Sequence, residues 1–164
     1  MEVRLATISE LQDWWDLKIA ENPEDNSWIV WKNRFVENNI NGQYATFFAF
    51  ENGQYVGQCT LIFKNEDADL TGNGKAEINK LEINKEYRGQ GKSTAIFNVV
   101  KHYAKERNVQ TLTIGVEPCE IRNMQIYFHW GFTEYLKCTT ETYPPKNNSV
   151  FGETITVLWY AQII

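Results

Sequence analysis

Apolar positions recur along the chain at two spacings, about 3.6 and 2 residues, and their succession predicts most of its elements. Residues 3–7 alternate as a first strand. Ser9 reads as a helix N-cap, and the helix runs to about Ala20 with Leu11, Trp14, Trp15 and Ile19 inward. Residues 21–26, with Pro23 among them, break it. A second helix begins at Ser27 and sets Trp28, Trp31 and Phe35 at i, i+3 and i+7, a stripe that reads first as core. Residues 46–50 and 55–63 form a hairpin about Asn52-Gly53. Residues 65–74 are a loop rich in Asp, Asn and Gly, and residues 76–83 a strand with Ile78, Leu81 and Ile83 as apolar points. A helix from Lys92 or Ser93 carries Ile96, Val99, Val100, Tyr103 and Ala104 on one face. Leu112, Ile114 and Val116 mark a buried strand, and Ile121, Met124 and Phe128 one face of the next helix. Residues 132–138 and 154–160 are closing strands around a loop with Pro144-Pro145 and Asn147-Asn148-Ser149. With no repeat and no dividing linker, residues 1–164 read as one mixed α/β domain.

Composition narrows the chemistry. At 164 residues, 43% hydrophobic and 14% aromatic, the chain can bury a sizeable core and is not disordered. A net charge of −5 argues against nucleic acid, which needs a basic face, and suits a cationic or amine ligand. Cys59, Cys119 and Cys138 are too far apart for a disulfide framework or a zinc site, and His102 and His129 have no metal-ligand spacing. Glu66, Asp67 and Asp69 lack the distal glutamate of a calcium loop, so their stretch reads as a solvated turn, and no metal is expected. The start, Met1 to Arg4, has no apolar signal region and no run reaches membrane-span length. A soluble cytoplasmic protein without a membrane partner is the expectation.

The densest chemistry lies at Tyr87-Arg88-Gly89-Gln90-Gly91-Lys92-Ser93, directly after a strand and at the start of a helix. Two glycines let the backbone approach a ligand, and the helix start offers free N–H groups with a positive dipole end. That combination is an anion site, most often for phosphate, with Arg88 and Lys92 beside it. A Walker-type loop is excluded by Glu86 where its first glycine belongs, and a dinucleotide fingerprint by Thr94.

Arg88 to Ser93 resembles the R-x-x-G-x-G/A signature of the GNAT superfamily of acyl-CoA-dependent N-acetyltransferases, with Ser93 at the last small position. The preceding AEINKLEI run is similar to that family's central strand. A second resemblance follows Val116: Tyr127-Phe128-His129-Trp130-Gly131-Phe132 matches the tail of N-x-x-A-x-x-x-Y-x-x-x-G-F, while Glu120 and Asn123 stand where the family usually has Asn and Ala. The resemblance implies a mixed, largely antiparallel sheet with helices on both faces, and acetyl transfer from acetyl-CoA to a primary amine by direct attack. It implies that the pantetheine arm lies where the central strand parts from its parallel neighbour, along Leu81, Glu82 and Ile83, with the Ile83 N–H facing the thioester carbonyl. Arg88, Gly89, Gln90, Gly91, Lys92 and Ser93 would hold the pyrophosphate, and Glu120, Asn123 and Tyr127 would complete the cofactor site. Tyr127 would be the general acid, and Glu77 or Glu82 the base; Glu77 is preferred because it matches a position where members of the family often carry a catalytic glutamate, because strict alternation points Glu82 to the opposite face from Ile83, and because the break in alternation between Ile78 and Leu81 signals a bulge that re-aims Glu77. Trp28, Trp31 and Tyr143, with Glu21, Glu24 and Asp25, are candidates to line or rim the acceptor cleft, which suits an aminoglycoside- or polyamine-like amine. A protein or peptide amine, a catalytically silent CoA-binding domain and a protein-interaction domain remain open alternatives, and the resemblance allows a homodimer.

Overall fold

The computed structural model describes residues 1–146 and 149–164; Asn147 and Asn148, read from sequence as part of the last loop, lie outside them. The elements in chain order are β1 (Glu2–Leu5), α1 (Ile8–Glu21), α2 (Ser27–Ile40), β2 (Tyr44–Glu51), β3 (Gln54–Ile62), β4 (Lys75–Ile83), α3 (Lys92–Glu106), β5 (Thr111–Val116), α4 (Ile121–Trp130), β6 (Glu134–Thr142) and β7 (Thr154–Ile163). The strands join one sheet in the order β1-β2-β3-β4-β5-β7-β6. Only β4 and β5 pair in parallel, because α3 is the crossover between them; every other neighbour is antiparallel.

The sheet is mixed and largely antiparallel with helices on both faces, as the motifs implied. On one face Ile96, Phe97, Val100 and Ala104 of α3 pack with Trp130 of α4 onto Val56, Leu61, Ile78, Leu112 and Ile114. On the other, Leu11, Trp14, Trp15, Phe35 and Val36 of α1 and α2 cover Tyr44, Phe48 and Ile62. Several local expectations shift. Thr7, not Ser9, caps α1, through a reciprocal box with Glu10. On α3 the inward position is Phe97, stacked on Trp130 at 4.5 Å, while Val99 is exposed. On α4 Ile121 and Phe128 are exposed and Trp130 carries the packing. The loop at residues 65–74 is no solvated turn: Leu70 and Thr71 are buried, and Thr113 Oγ1 donates to the Leu70 carbonyl at 2.9 Å.

The feature that positions the site is the parting of β4 from β5. Their ladder runs from Lys75↔Thr111 to Ile78↔Ile114 and ends, while β4 continues along β3 to Ile83↔Gly57 and β5 along β7 to Val116↔Leu158. At the parting point the β3–β4 register shifts between Gln58 and Thr60, and Lys80 has φ 51°. This is a bulge, which bends the strand. A left-handed non-glycine residue costs about 1–2 kcal/mol. Here the Lys80 ammonium lies 5.0–5.2 Å from the ring centroids of Trp14, Trp15 and Trp28, a cation–π arrangement that helps offset the strain.

Gly57 keeps β3 and β4 close at this end. A Cβ there would come within 2.3 Å of the Glu82 carbonyl oxygen. Gly57→Ala is therefore expected to destabilise the protein by about 1–3 kcal/mol through overpacking. Urea denaturation should show a lower midpoint at unchanged m-value, and an unshifted midpoint would mean that the strand spacing is slack.

Candidate active site

Two sites flank the parted strands. The first is the turn before α3. Gly91, at φ 72°, is the helix N-cap, and no side chain caps the helix. The backbone N–H groups of residues 90–94 meet no acceptor among the described residues, and they lie at the positive end of the 15-residue helix α3. This is a cradle for an anion such as a pyrophosphate. The neighbouring cations are tethered by the protein itself: Arg88 Nε donates to the Ile83 carbonyl at 2.9 Å, and Lys92 pairs with Glu51. Gln90 is held by the Glu86 carbonyl at 3.0 Å, and Gly89 has φ 76°.

Between turn and cleft runs the open edge of β4. The Asn84 N–H donates to the Val56 carbonyl at 2.8 Å. In an antiparallel ladder the neighbouring residue then presents its own N–H and C=O to the other side, so the Ile83 amide faces the gap left by β5. Acceptance of Arg88 by the Ile83 carbonyl agrees with this.

The second site is a cleft of about 1460 Å³ between α2, the sheet and the loop joining β6 to β7. It brings together Glu77, Leu81, Glu120, Tyr127, Trp28, Trp31 and Tyr143 among its lining residues. Trp31 meets Tyr143 edge-on at 5.8 Å, which joins the two walls. Of the acidic residues expected at its rim, Asp25 lines it; Glu21 and Glu24 do not, and Glu21 pairs with Lys18. Asn123 also stays outside, donating to the Glu120 carboxylate at 3.0 Å.

The two glutamates considered as base are separated by their surroundings. The bulge returns Glu82 to the face that carries Glu77, which strict alternation would not. Glu82 is exposed, is engaged by Gln58 and Lys80, and does not line the cleft. Glu77 lines it at 4% exposure and accepts from Asn65 Nδ2 at 2.8 Å and Asn79 Nδ2 at 2.6 Å. Burial pushes its carboxyl up to about 7, with Glu141 also raising it and the amide bonds and Arg34 opposing. Tyr127 is half-buried beside Trp130 and Phe132, and burial, then Glu120, pushes its phenol up to about 12. A carboxylate poised near neutrality and a phenol that stays protonated are suited to accept and to donate a proton.

Asn65, Asn79, Arg34 and Glu141 were missed from sequence. Arg34 lies one helical turn after Trp31 and its guanidinium carbon is 5.6 Å from that ring, a legible signal. Asn79 lies two residues after Glu77 on the same side of β4, also legible; Asn65 reaches the site only through the folded loop. Among the described residues no cluster of three or more His, Cys, Asp or Glu could hold a metal, and no helix is long and apolar enough to cross a membrane.

Several solved structures share this architecture along nearly the whole chain. Ribosomal-protein-alanine N-acetyltransferase from Brucella melitensis superposes with a TM-score of 0.71 at 17% identity, covering 100% of both chains. An N-acetyltransferase from Staphylococcus aureus Mu50 gives 0.70 at 14%, over 99% of this chain and 97% of the other. The yncA protein of Salmonella typhimurium, solved with its cofactor acetyl-CoA, gives 0.69 at 11%, over 99% and 93%. No curated protein matches the chain by sequence. The sequence model of the acetyltransferase (GNAT) family matches residues 8–132, which contain the anion cradle, the parted strands, Glu77 and Tyr127. The chain belongs to the GNAT acetyltransferase family.

Proposed function

We propose that this acetyltransferase moves an acetyl group from acetyl-CoA to a primary amine by direct attack within the cleft. The observation that carries the reading is the parting of β4 from β5 after Ile78↔Ile114, which opens a slot flanked by the Ile83 N–H. The unpaired N–H groups of residues 90–94 fit a pyrophosphate, and the slot fits an extended pantetheine arm. Acetyl-CoA, when bound, supplies the activated thioester. Ile83 donates its N–H to the reacting carbonyl, Glu77 takes the proton from the attacking amine, and Tyr127 donates one to the departing thiolate.

The acceptor we favour is a small polyamine- or aminoglycoside-like amine. Asp25, Glu117, Glu120 and Glu141 line the cleft beside Trp28, Trp31 and Tyr143, walls that suit a cation with an apolar stem. A protein or peptide amine is the second reading. It is supported by the exposed Phe151 at the cleft and by the resemblance in fold to a ribosomal-protein-alanine acetyltransferase.

The test is a melting curve with acetyl-CoA, then thiol release with an amine panel that includes polyamines, aminoglycosides and peptides with free N-termini. A ligand at about 100 times its Kd should stabilise the fold by roughly 2.7 kcal/mol. No shift at millimolar acetyl-CoA would refute the cofactor site. A shift without thiol release on any amine would favour a silent CoA-binding domain.

A further inference from the structure

Asn65 opens the loop between β3 and β4, and the polar atoms of its side chain are committed. Its Oδ1 accepts from the Asp67 N–H at 2.8 Å and from Thr71 Oγ1 at 2.9 Å, and its own backbone N–H donates to Thr71 Oγ1 at 2.9 Å. That leaves Nδ2 to face Glu77, donating to Oε2 at 2.8 Å. Turning the amide over would set Nδ2 against a backbone N–H and Oδ1 against a carboxylate, two repulsive contacts. The loop thus dictates the direction of the N–H that reaches Glu77.

The loop is in turn anchored to three other strands. Lys137 on β6 bridges Asp67 and Asp69, Thr113 on β5 holds the Leu70 carbonyl, and Leu70 packs against Val157 and Trp159 of β7. The second Glu77 oxygen is held from β4 itself, by Asn79 Nδ2 at 2.6 Å.

We propose that the β3–β4 loop is a base-positioning element, in which Asn65 is the positioning residue that aims the Glu77 carboxylate into the cleft. This rests on the reading of Glu77 as the base. Each carboxylate oxygen accepts one amide N–H and keeps lone pairs for an incoming proton. Hydrogen bonds to the charged form favour it, which counters the burial of the site. The charged groups that face Glu77 are Arg34 from α2 and Glu141 from β6, acting in opposite directions. Its register neighbours, Ile62 on β3 and Thr113 on β5, carry no charge.

The experiment is a 13C NMR titration of the protein labelled at the glutamate carboxyl carbons. The Glu77 resonance is assigned by its loss in Glu77→Gln. Asn65→Ala should raise the midpoint by about one to two pH units, the value of one hydrogen bond to a charged group. Thr71→Val, which removes one of the two bonds to the Asn65 amide oxygen without touching Glu77, should raise it less, and the acid limb of kcat/KM should follow in both. A midpoint that does not move in Asn65→Ala overturns the proposal. If Asn65→Ala does not fold, as read by circular dichroism, Asn65→Ser takes its place under the same criterion. Full turnover by Glu77→Gln would remove Glu77 as base while leaving the titration to judge the hydrogen bond. An inactive Glu77→Gln with an unmoved Asn65→Ala midpoint removes the positioning role alone.

Discussion

Glu77→Gln is expected to lower kcat by about two to three orders of magnitude, the usual weight of a positioned general base. Glutamine keeps the shape of the side chain but has no carboxylate to take the amine proton. The loss should be accompanied by a change in pH dependence. The Glu77 carboxyl is pushed up from 4.5 to about 7 by burial, so it is protonated and inactive below that value. Wild-type kcat/KM should rise with pH up to about 7 and then level, and the variant should lack this limb. Stability moves in the opposite sense. Between pH 4.5 and 7 the unfolded chain has released the Glu77 proton and the folded chain has not, so folding loses stability as pH rises through this window. The gap spans roughly 3 kcal/mol. Wild type should therefore lose stability relative to Glu77→Gln between those pH values and run parallel to it above. A variant with unchanged turnover and no relative gain in stability would place the base elsewhere and show that Glu77 is ionised throughout.

Gly91→Val should raise the acetyl-CoA KM by about two orders of magnitude, since displacing the pyrophosphate forfeits one or two charge-assisted hydrogen bonds. Two effects need to be told apart. Valine at φ 72° is strained, at a cost of about 1–2 kcal/mol to the fold. Yet a Cβ at this position meets nothing within 4 Å, so in the free protein the side chain has room. A phosphate seated on the N–H groups of residues 90–94 would occupy that room. Acetyl-pantetheine, which lacks the pyrophosphate, provides the control. Its weaker turnover should be nearly the same in both proteins if the clash is with phosphate. Equal losses with both donors would point to strain in the turn, and no loss with either would move the cofactor away from α3.

Local rules reached far in this chain because they are short-ranged. The hairpin at Asn52-Gly53 has both residues at positive φ, 51° and 78°, as its dipeptide demands. Gly91, read from sequence as part of a glycine turn before a helix, stands at the N-cap of α3 with φ 72°, a conformation open to glycine. The broken alternation between Ile78 and Leu81 was legible too, and it became the bulge at Lys80. Errors came where a neighbour in space outweighed a neighbour in sequence. Val99 and Phe128 lost the core to Phe97 and Trp130, whose rings stack across two helices. The loop at residues 65–74 looked solvated because polar residues dominate it, yet its partners Thr113 and Lys137 lie far along the chain.

By itself, then, the sequence determined the element order, the glycine turn, the family and the two glutamates worth considering. Tertiary structure alone separated those glutamates: it buried Glu77 between two amides and left Glu82 exposed against Gln58. It also placed Tyr127, Glu77, Trp31 and Tyr143 around one cleft, although they come from four separate parts of the chain. The physical reason is range. Backbone conformation and periodic burial are set by residues a few positions apart, whereas desolvation of a carboxylate depends on which strands and loops the folded sheet brings around it.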